Sequence, residues 1–246
     1  PTGMDFIILA ERWMSLWKET LELQHNQEQL LLNIGCTDSL NIAVFVPLYD
    51  KILMNYPHLD LSIQSHHSSE LYGMLSEHNI DIGFVYHQLH YKNIISEKLF
   101  EEKLYLVQSE HPTVEKPIVH TDELDPTKEL FLSWDDNFQI WHDRWLSSVS
   151  RPHISADTIT LLDRLWKNAD TWMIAPESVI HELSRYRKVY VSELKNPAPN
   201  RICYKIKHKY PKTTSKRAVE LFEEILEPLL HLERKEIPIG EIWGGQ

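Results

Sequence analysis

Apolar and polar positions change period repeatedly along this chain, and each change marks an element. From Met4 to about Gln24, Phe6, Ala10, Trp13, Trp17 and Leu21 recur at spacings of three and four, with Glu11, Lys18 and Glu19 elsewhere, which predicts an amphipathic helix. A lone helix cannot bury that stripe. Two tryptophans on one face of a terminal helix predict pairing with a second copy in preference to docking on its own body. The polar His25-Asn26-Gln27-Glu28 reads as a linker. The run from about Gln29 to Ile34 is apolar on both faces, as a central parallel strand is, and stops at Gly35. Thr37-Asp38-Ser39 then starts a helix carrying Leu40, Ile42, Ala43, Val46, Leu48, Ile52 and Leu53, which ends before Pro57. Leu59 to Ile63 alternates with period two, Ser65 to Glu70 is polar and cap-rich, a short helix runs through about His78, and Ile80 to Val85 is a third strand.

The order is strand, helix, strand, helix, strand. In an open parallel sheet the polar turns at the carboxyl ends of strands face a crevice, so Thr37, Ser39 and Ser68 are expected to line a pocket, with Tyr86 and His87 at its floor. A second set follows. Leu104 to Val107 and Leu130 to Trp134 read as strands, Asp135-Asp136-Asn137 starts a helix bearing Phe138, Trp141, Trp145 and Leu146, and His153 to Ser155 is a strand. Asp157-Thr158 opens another helix over Leu161 to Asn168, Thr171 to Ala175 is a strand, and Pro176-Glu177 opens the next helix. Val189 to Val191 and Arg201 to Lys207 are strands, and Ala218 to Leu230 is a final helix.

The pattern predicts two Rossmann-like α/β subdomains joined by two hinge strands, near Leu99 to Lys103 and Cys203 to Lys207, with a ligand cleft between them. The expected boundaries are a linker and dimerisation helix over 1–28, subdomain I over 29–101 plus 207–246, and subdomain II over 102–206. The polar tail from Arg234 carries an apolar patch, Ile237 to Trp243, with no evident role.

Composition narrows the function. The 246 residues are 42% hydrophobic and 25% charged, ordinary for a soluble globular protein. A net charge of −11 repels phosphate backbones, so these residues are not expected to grip DNA themselves. Cys36 and Cys203 are the only cysteines, too few for a disulfide scaffold, and no signal peptide or apolar run of about 18 residues is visible, which favours a cytoplasmic protein with no membrane contact. The abrupt Pro1-Thr2-Gly3 start suggests a piece of something longer. There is no GxSxG elbow, no phosphate-binding glycine loop among seven glycines and no Ser/His/Asp order, so no enzyme is expected.

Five short motifs in register carry a family resemblance. Asn33 to Leu40 with Pro47-Leu48, Tyr56 to Leu61, Ser68-Ser69-Glu70-Leu71 and Asn79 to Phe84 resemble the effector-binding domain of LysR-type transcriptional regulators. Glu110-His111-Pro112 is similar to that family's strand end and Ile174-Ala175-Pro176 to its later valine-proline corner; Pro1 to Phe6 resembles the passage from winged helix-turn-helix to linker helix. The resemblance implies a fold like type 2 periplasmic binding proteins, a homodimer or tetramer, a small-molecule effector, and DNA contact through an N-terminal domain outside this sequence.

It also implies that Ser39, at a helix start, contacts effector with Thr37 beside it, while Asp38 reads equally as a structural cap whose charge opposes an anion. Ser68 occupies the matching place after the second strand, with an N-cap as its rival reading. Some aromatic-acid-responsive relatives carry a basic residue at the Tyr86 position, so their effector is not carried over. From the second lobe, Trp134, Asp135, Asn137 and Phe138 offer an aromatic wall and polar groups, with core packing as the alternative for Phe138. Ser155, Asp157 and Thr158 complete the expected ring. The fourteen histidines lack a ligand spacing such as HExxH, so neither metal nor cofactor is expected. The rivals are a transporter's solute-binding protein and a thiol-sensing regulator through Cys36, for which a small buried thiol is the preferred reading.

Overall fold

The computed structural model describes residues 2–25, 29–109, 116–146, 151–168, 170–232 and 237–243. Helix α1 (Thr2–His25) is followed by β1 (Leu30–Cys36), the single turn α2 (Asp38–Leu40), a π-helical turn over Asn41–Phe45, and α3 (Val46–Asn55). Then come β2 (Leu59–Ser65), α4 (Ser68–Ser76), β3 (Ile82–Val85), β4 (Ile94–Glu102) and β5 (Leu104–Ser109). The chain continues through β6 (Ile118–Val119), β7 (Leu130–Phe131), α5 (Asp136–Trp145), β8 (Ile154–Ser155), α6 (Ile159–Leu165), β9 (Trp172–Pro176) and α7 (Glu177–Ser184). It closes with β10 (Val189–Leu194), β11 (Arg201–His208), α8 (Lys216–Leu232) and β12 (Gly240–Ile242). Two units form: Pro1–Thr37, Pro47–Lys98 and Tyr204–Leu232 make the first, Asp38–Val46, Leu99–Cys203 and Glu233–Gln246 the second.

The sheet of the first unit has the order β2-β1-β3-β11-β4. β1 runs parallel to β2 from Leu30↔Leu59 to Cys36↔Ser65 and parallel to β3 from Ile34↔Ile82 to Cys36↔Phe84, while β11 is antiparallel to β3. The chain moves from β1 out to β2 and returns past β1 to β3, so its connections diverge at the carboxyl ends of β1 and β3, where such sheets bind ligands. Asp81 ties the two strands together: its Oδ2 accepts from the backbone N–H and the side-chain amide of Asn33, both at 2.9 Å. A Cβ on Gly35 would stand 2.5 Å from Ile80 Cδ1 and from Leu71 Cδ2, so the absent side chain lets α4 close on β1 over Leu71, Tyr72 and Leu75.

The second unit repeats the scheme with less backbone. Its main sheet, β12-β10-β5-β9, pairs antiparallel throughout, with β6 parallel to β10 at one side. β7 and β8 form a parallel ladder of two pairs, and Glu129 makes a single parallel bridge to Trp172 at the start of β9. The run β7-α5-β8-α6-β9 therefore echoes the strand, helix, strand, helix, strand run of the first unit. Its core is built on Leu106, Phe138, Leu162, Ile174 and Val191.

The boundaries differ from expectation in two segments. Asp38–Val46 groups with the second unit, because Ile42 and Ala43 pack against that unit's core and Asp38 accepts hydrogen bonds from Thr160. The tail also groups there: β12 pairs with β10, and Ile237 is buried in the same core. The chain changes unit inside two strands, at Lys98/Leu99 in β4 and Cys203/Tyr204 in β11. The helix expected to run unbroken from Leu40 to Leu53 is instead interrupted by the π turn, where the Val46 N–H reaches back to the Asn41 carbonyl. The strand expected over Leu130 to Trp134 stops at Phe131, because Asp135 already acts as the N-cap of α5.

On α1, Phe6, Trp13 and Trp17 are exposed, and the two indoles stack at 6.1 Å with their planes 3° apart. The Leu21 side chain, the linker residues 26–28, the Glu110-His111-Pro112 motif and Arg234 lie outside the described residues. No helix among the described residues is long and apolar enough to cross a membrane.

Candidate functional site

In the first unit the expected site residues gather at the carboxyl ends of its three parallel strands. Thr37 follows β1, Ser68 opens α4 after β2, and Tyr86 and His87 follow β3. Ser68 Oγ accepts the Tyr86 N–H at 3.1 Å in a buried position, so the hydroxyl reaches across to the third strand. It does not cap its own helix, whose N-cap is His67 with no side-chain hydrogen bond. Tyr72 holds the turn from beneath, its hydroxyl donating to the His87 carbonyl at 2.9 Å and accepting the Leu89 N–H at 3.0 Å. Thr37 Oγ1 is buried and has no hydrogen-bond partner among the described residues. A buried hydroxyl without a partner loses its water and gains nothing in return, so it asks for an explanation.

In the second unit a residue that periodicity did not single out is the organising one. Arg201, at the start of β11 and 4% exposed, donates from Nη1 to Ser39 Oγ at 3.3 Å and from Nη2 to the Trp134 carbonyl at 3.1 Å. Its guanidinium lies 4.9 Å from the centre of the Trp134 ring, and the indole N–H donates to the Ile174 carbonyl at 2.7 Å, which fixes the platform. Two candidates from distant parts of the sequence, Ser39 and Trp134, thus meet on one cation. Asp38 accepts from Thr160, at 3.3 Å from the N–H and at 3.0 Å from the hydroxyl, so its charge is held at the first turn of α6.

Two further candidates sit at helix starts. Asp135 Oδ1 caps α5 by accepting the Phe138 N–H at 2.8 Å, and Thr158 Oγ1 caps α6 by accepting the Leu161 N–H at 3.4 Å. Phe138 is 2% exposed and packs on Phe131 and Trp141, as core residues do. Ser155 is exposed on β8. The signal for Arg201 was weak: one basic residue after Asn196-Pro197-Ala198-Pro199-Asn200, opening a strand that also carries Lys205 and Lys207.

Burial pushes the Tyr49 phenol far above its ordinary range, and neighbouring Cys36 adds to the effect. Both cysteines are fully buried, unlike the partly exposed thiols in electropositive surroundings that react with oxidants. Among the described residues no three His, Cys, Asp or Glu side chains gather as a metal site.

Residues 25–228 match the LysR substrate binding domain. The chain belongs to the LysR-type family of transcriptional regulators. The HTH-type transcriptional regulator CzcR of Bacillus anthracis is 22% identical over 163 residues, which are 65% of this chain and 54% of that protein; the chain thus spans about half the length of this curated relative. Among solved structures, the reduced OxyR regulatory domain of Pseudomonas aeruginosa matches with a TM-score of 0.68 at 16% identity, over 85% of this chain and 100% of that one. A full-length OxyR variant from the same organism gives 0.68 at 16% identity over 97% of this chain and 80% of that one, and the MexT regulatory domain gives 0.68 at 11% identity over 81% and 99%. At these identities the structural matches establish the fold: the LysR regulatory domain, α/β and like the periplasmic binding proteins. The matched relatives are transcriptional regulators.

Proposed function

We propose that this LysR-type regulatory domain senses a small molecule, with Thr37, Ser39 and Ser68 supplying polar contacts and Tyr86 and Trp134 supplying walls. The observation that carries the reading is the buried hydroxyl of Thr37 at the carboxyl end of β1, which has no hydrogen-bond partner among the described residues, together with a Ser68 hydroxyl in the same unit that accepts one bond and still has a proton to give. An effector acts by binding one arrangement of the protein more tightly than another, which in a homo-oligomer resets the spacing of DNA-reading elements. The exposed tryptophan stripe of α1 supports self-association through that helix. DNA contact belongs to a helix-turn-helix segment outside these residues, and the protein works in the cytoplasm.

A thermal-shift screen of amino acids, small acids and aromatic metabolites tests the site. Ser39→Ala and Ser68→Ala are expected to reduce a hit's shift, and Thr37→Val to reduce it while leaving the ligand-free melting temperature unchanged or higher, since an isosteric methyl replaces an unsatisfied hydroxyl. Unaltered affinity in all three variants would place the effector elsewhere.

A further inference from the structure

The net charge of −11 conceals an uneven distribution. From Lys205 to Arg217 the chain carries six basic residues and no acidic one, so all 36 acidic residues stand outside that stretch, against 19 of the 25 basic ones. The stretch runs from within β11 into the first turn of α8 and belongs wholly to the first unit. Lys205 and Lys207 are committed to the fold through Glu223 and Glu97. Beyond them the charges face water. Lys209, Lys216 and Arg217 are exposed, and so are Tyr210 and Thr213. Lys209 Nζ lies 5.7 Å from the centre of the Tyr210 ring, and Arg217 approaches Glu220 at 3.9 Å with the two side chains 64% and 48% exposed, a pair that water screens.

We infer that this turn is an interaction surface for the sugar-phosphate backbone of duplex DNA. Lysine, arginine, threonine and tyrosine side chains are the groups that meet phosphate oxygens, and all four kinds stand exposed here in Lys209, Lys216, Arg217, Thr213 and Tyr210. Such contacts carry no sequence information, so reading an operator stays with the helix-turn-helix segment outside these residues and the turn adds affinity alone. Family membership decides for DNA over an acidic protein: in a transcriptional regulator, a duplex held by a linked DNA-reading segment stands at high effective concentration, where even a weak contact is used. The overall negative field does not cancel the patch, because salt screens charges beyond about 8 to 10 Å. On α8 the acids begin one turn further on, at Glu220. The turn is also shaped in advance, the Lys209 N–H donating to the Asn93 carbonyl at 2.7 Å and the Lys216 N–H to the Lys212 carbonyl at 3.1 Å, so binding orders little backbone. The effector site plays no part in this contact.

Fluorescence anisotropy with a short labelled duplex of arbitrary sequence tests this on the whole chain. Weak binding is expected, measurable at about 50 mM salt and much reduced at about 200 mM. A triple variant, Lys209→Gln with Lys216→Gln and Arg217→Gln, should bind about tenfold more weakly at the lower salt, and its plot of log affinity against log salt should be shallower by about 2 to 3, the share of three phosphate contacts. A second triple variant, Lys51→Gln with Lys167→Gln and Lys195→Gln, removes three exposed cations elsewhere, has the same net charge as the first, and should bind as the wild type does. Circular dichroism checks folding, and Arg217→Gln alone, with a slope shallower by about 1, keeps the test decisive if the first triple variant does not fold. Equal losses in the two triple variants would trace binding to net charge and overturn the proposal, as would no measurable binding of the duplex at the lower salt. Binding of poly-glutamate, lost in the first triple variant, with no binding of the duplex, would overturn the DNA assignment and make the turn a seat for an acidic protein.

Discussion

The two units build the same parallel run by different means. In the first, β1 and β2 share a ladder of seven pairs, and the hydroxyls at the helix starts point elsewhere: Ser68 to the Tyr86 N–H, Thr37 to no described partner. In the second, β7 and β8 share two pairs, and side chains take over the work of the missing backbone. Asp135 and Thr158 cap their own helices, and Glu129, just before β7, meets His142 of α5 in a buried contact. Where the backbone ladder suffices, polar side chains at strand ends are available for ligand; where it is short, they are committed to the fold. The first unit's hydroxyls, Thr37 and Ser68, are therefore the ones expected to serve an effector.

The largest break in this contrast is expected at His142. Its Nε2 lies 2.8 and 3.0 Å from the two carboxylate oxygens of Glu129, which is 2% exposed. Removing the imidazole leaves a buried acid without that partner and opens a gap beside Phe131 and Phe138. His142→Ala should cost about 3 kcal/mol or more in urea denaturation at pH 7. A loss below about 1 kcal/mol would mean that the short β7–β8 ladder holds the second unit without side-chain help.

How much of this was readable in advance follows from the same contrast. The long first ladder announces itself as periodic strands, so β1, β2, β3 and the places of Thr37 and Ser68 were legible from residues 30 to 85. The second unit's strands are two residues long at β7 and β8, too short for a period to emerge, and the expected strand at Leu130 ran past its true end. The π turn over Asn41–Phe45 leaves no mark in the apolar spacing, since Ile42 and Ala43 face a core that local sequence does not specify. Arg201 was illegible for a similar reason: its partners, Ser39 in the turn α2 and Trp134 between β7 and α5, are distant in sequence and only the tertiary fold joins them.

A smaller effect, confined to the first unit, is set by pH. Glu223 on α8 receives Lys205 and Lys207 of β11, and Lys205 also reaches Glu97 of β4 at 3.0 Å. Burial works against the Glu223 charge, yet the hydrogen bonds from the two lysines outweigh it and hold the carboxyl below its ordinary value of 4.5. For Lys205, burial opposes the charge and the bonds to Glu223 and Glu97 prevail, raising it above 10.5. A depressed carboxyl contributes stability above its unfolded value and loses it as pH falls through the folded one; a raised lysine loses its contribution as pH rises through its folded value. Glu223→Gln should therefore cost about 1 to 2 kcal/mol at pH 7. The gap to the wild type should close in acid, below the ordinary glutamate range. A gap that persisted there would assign the loss to packing.

The finest test compares two helix starts directly. Asp135 is bound to the Phe138 N–H at 2.8 Å, so Asp135→Ala removes a cap and should cost about 1 kcal/mol of stability. Ser68 caps nothing: its hydroxyl accepts the Tyr86 N–H, a backbone donor at the end of β3. Ser68→Ala should cost less, about 0.5 kcal/mol, because the hydroxyl supports one strand end and leaves the helix start as it was. Effector affinity should rank the two the other way, with Ser68→Ala the more damaging, since a side chain committed to its own helix has less to offer a ligand than one turned toward a strand end. Chemical denaturation and calorimetry with any confirmed ligand read both rankings on the same proteins. If the two substitutions order stability and affinity alike, the division of labour between ladder and side chain does not hold, and the helix starts of both units serve ligand and fold together.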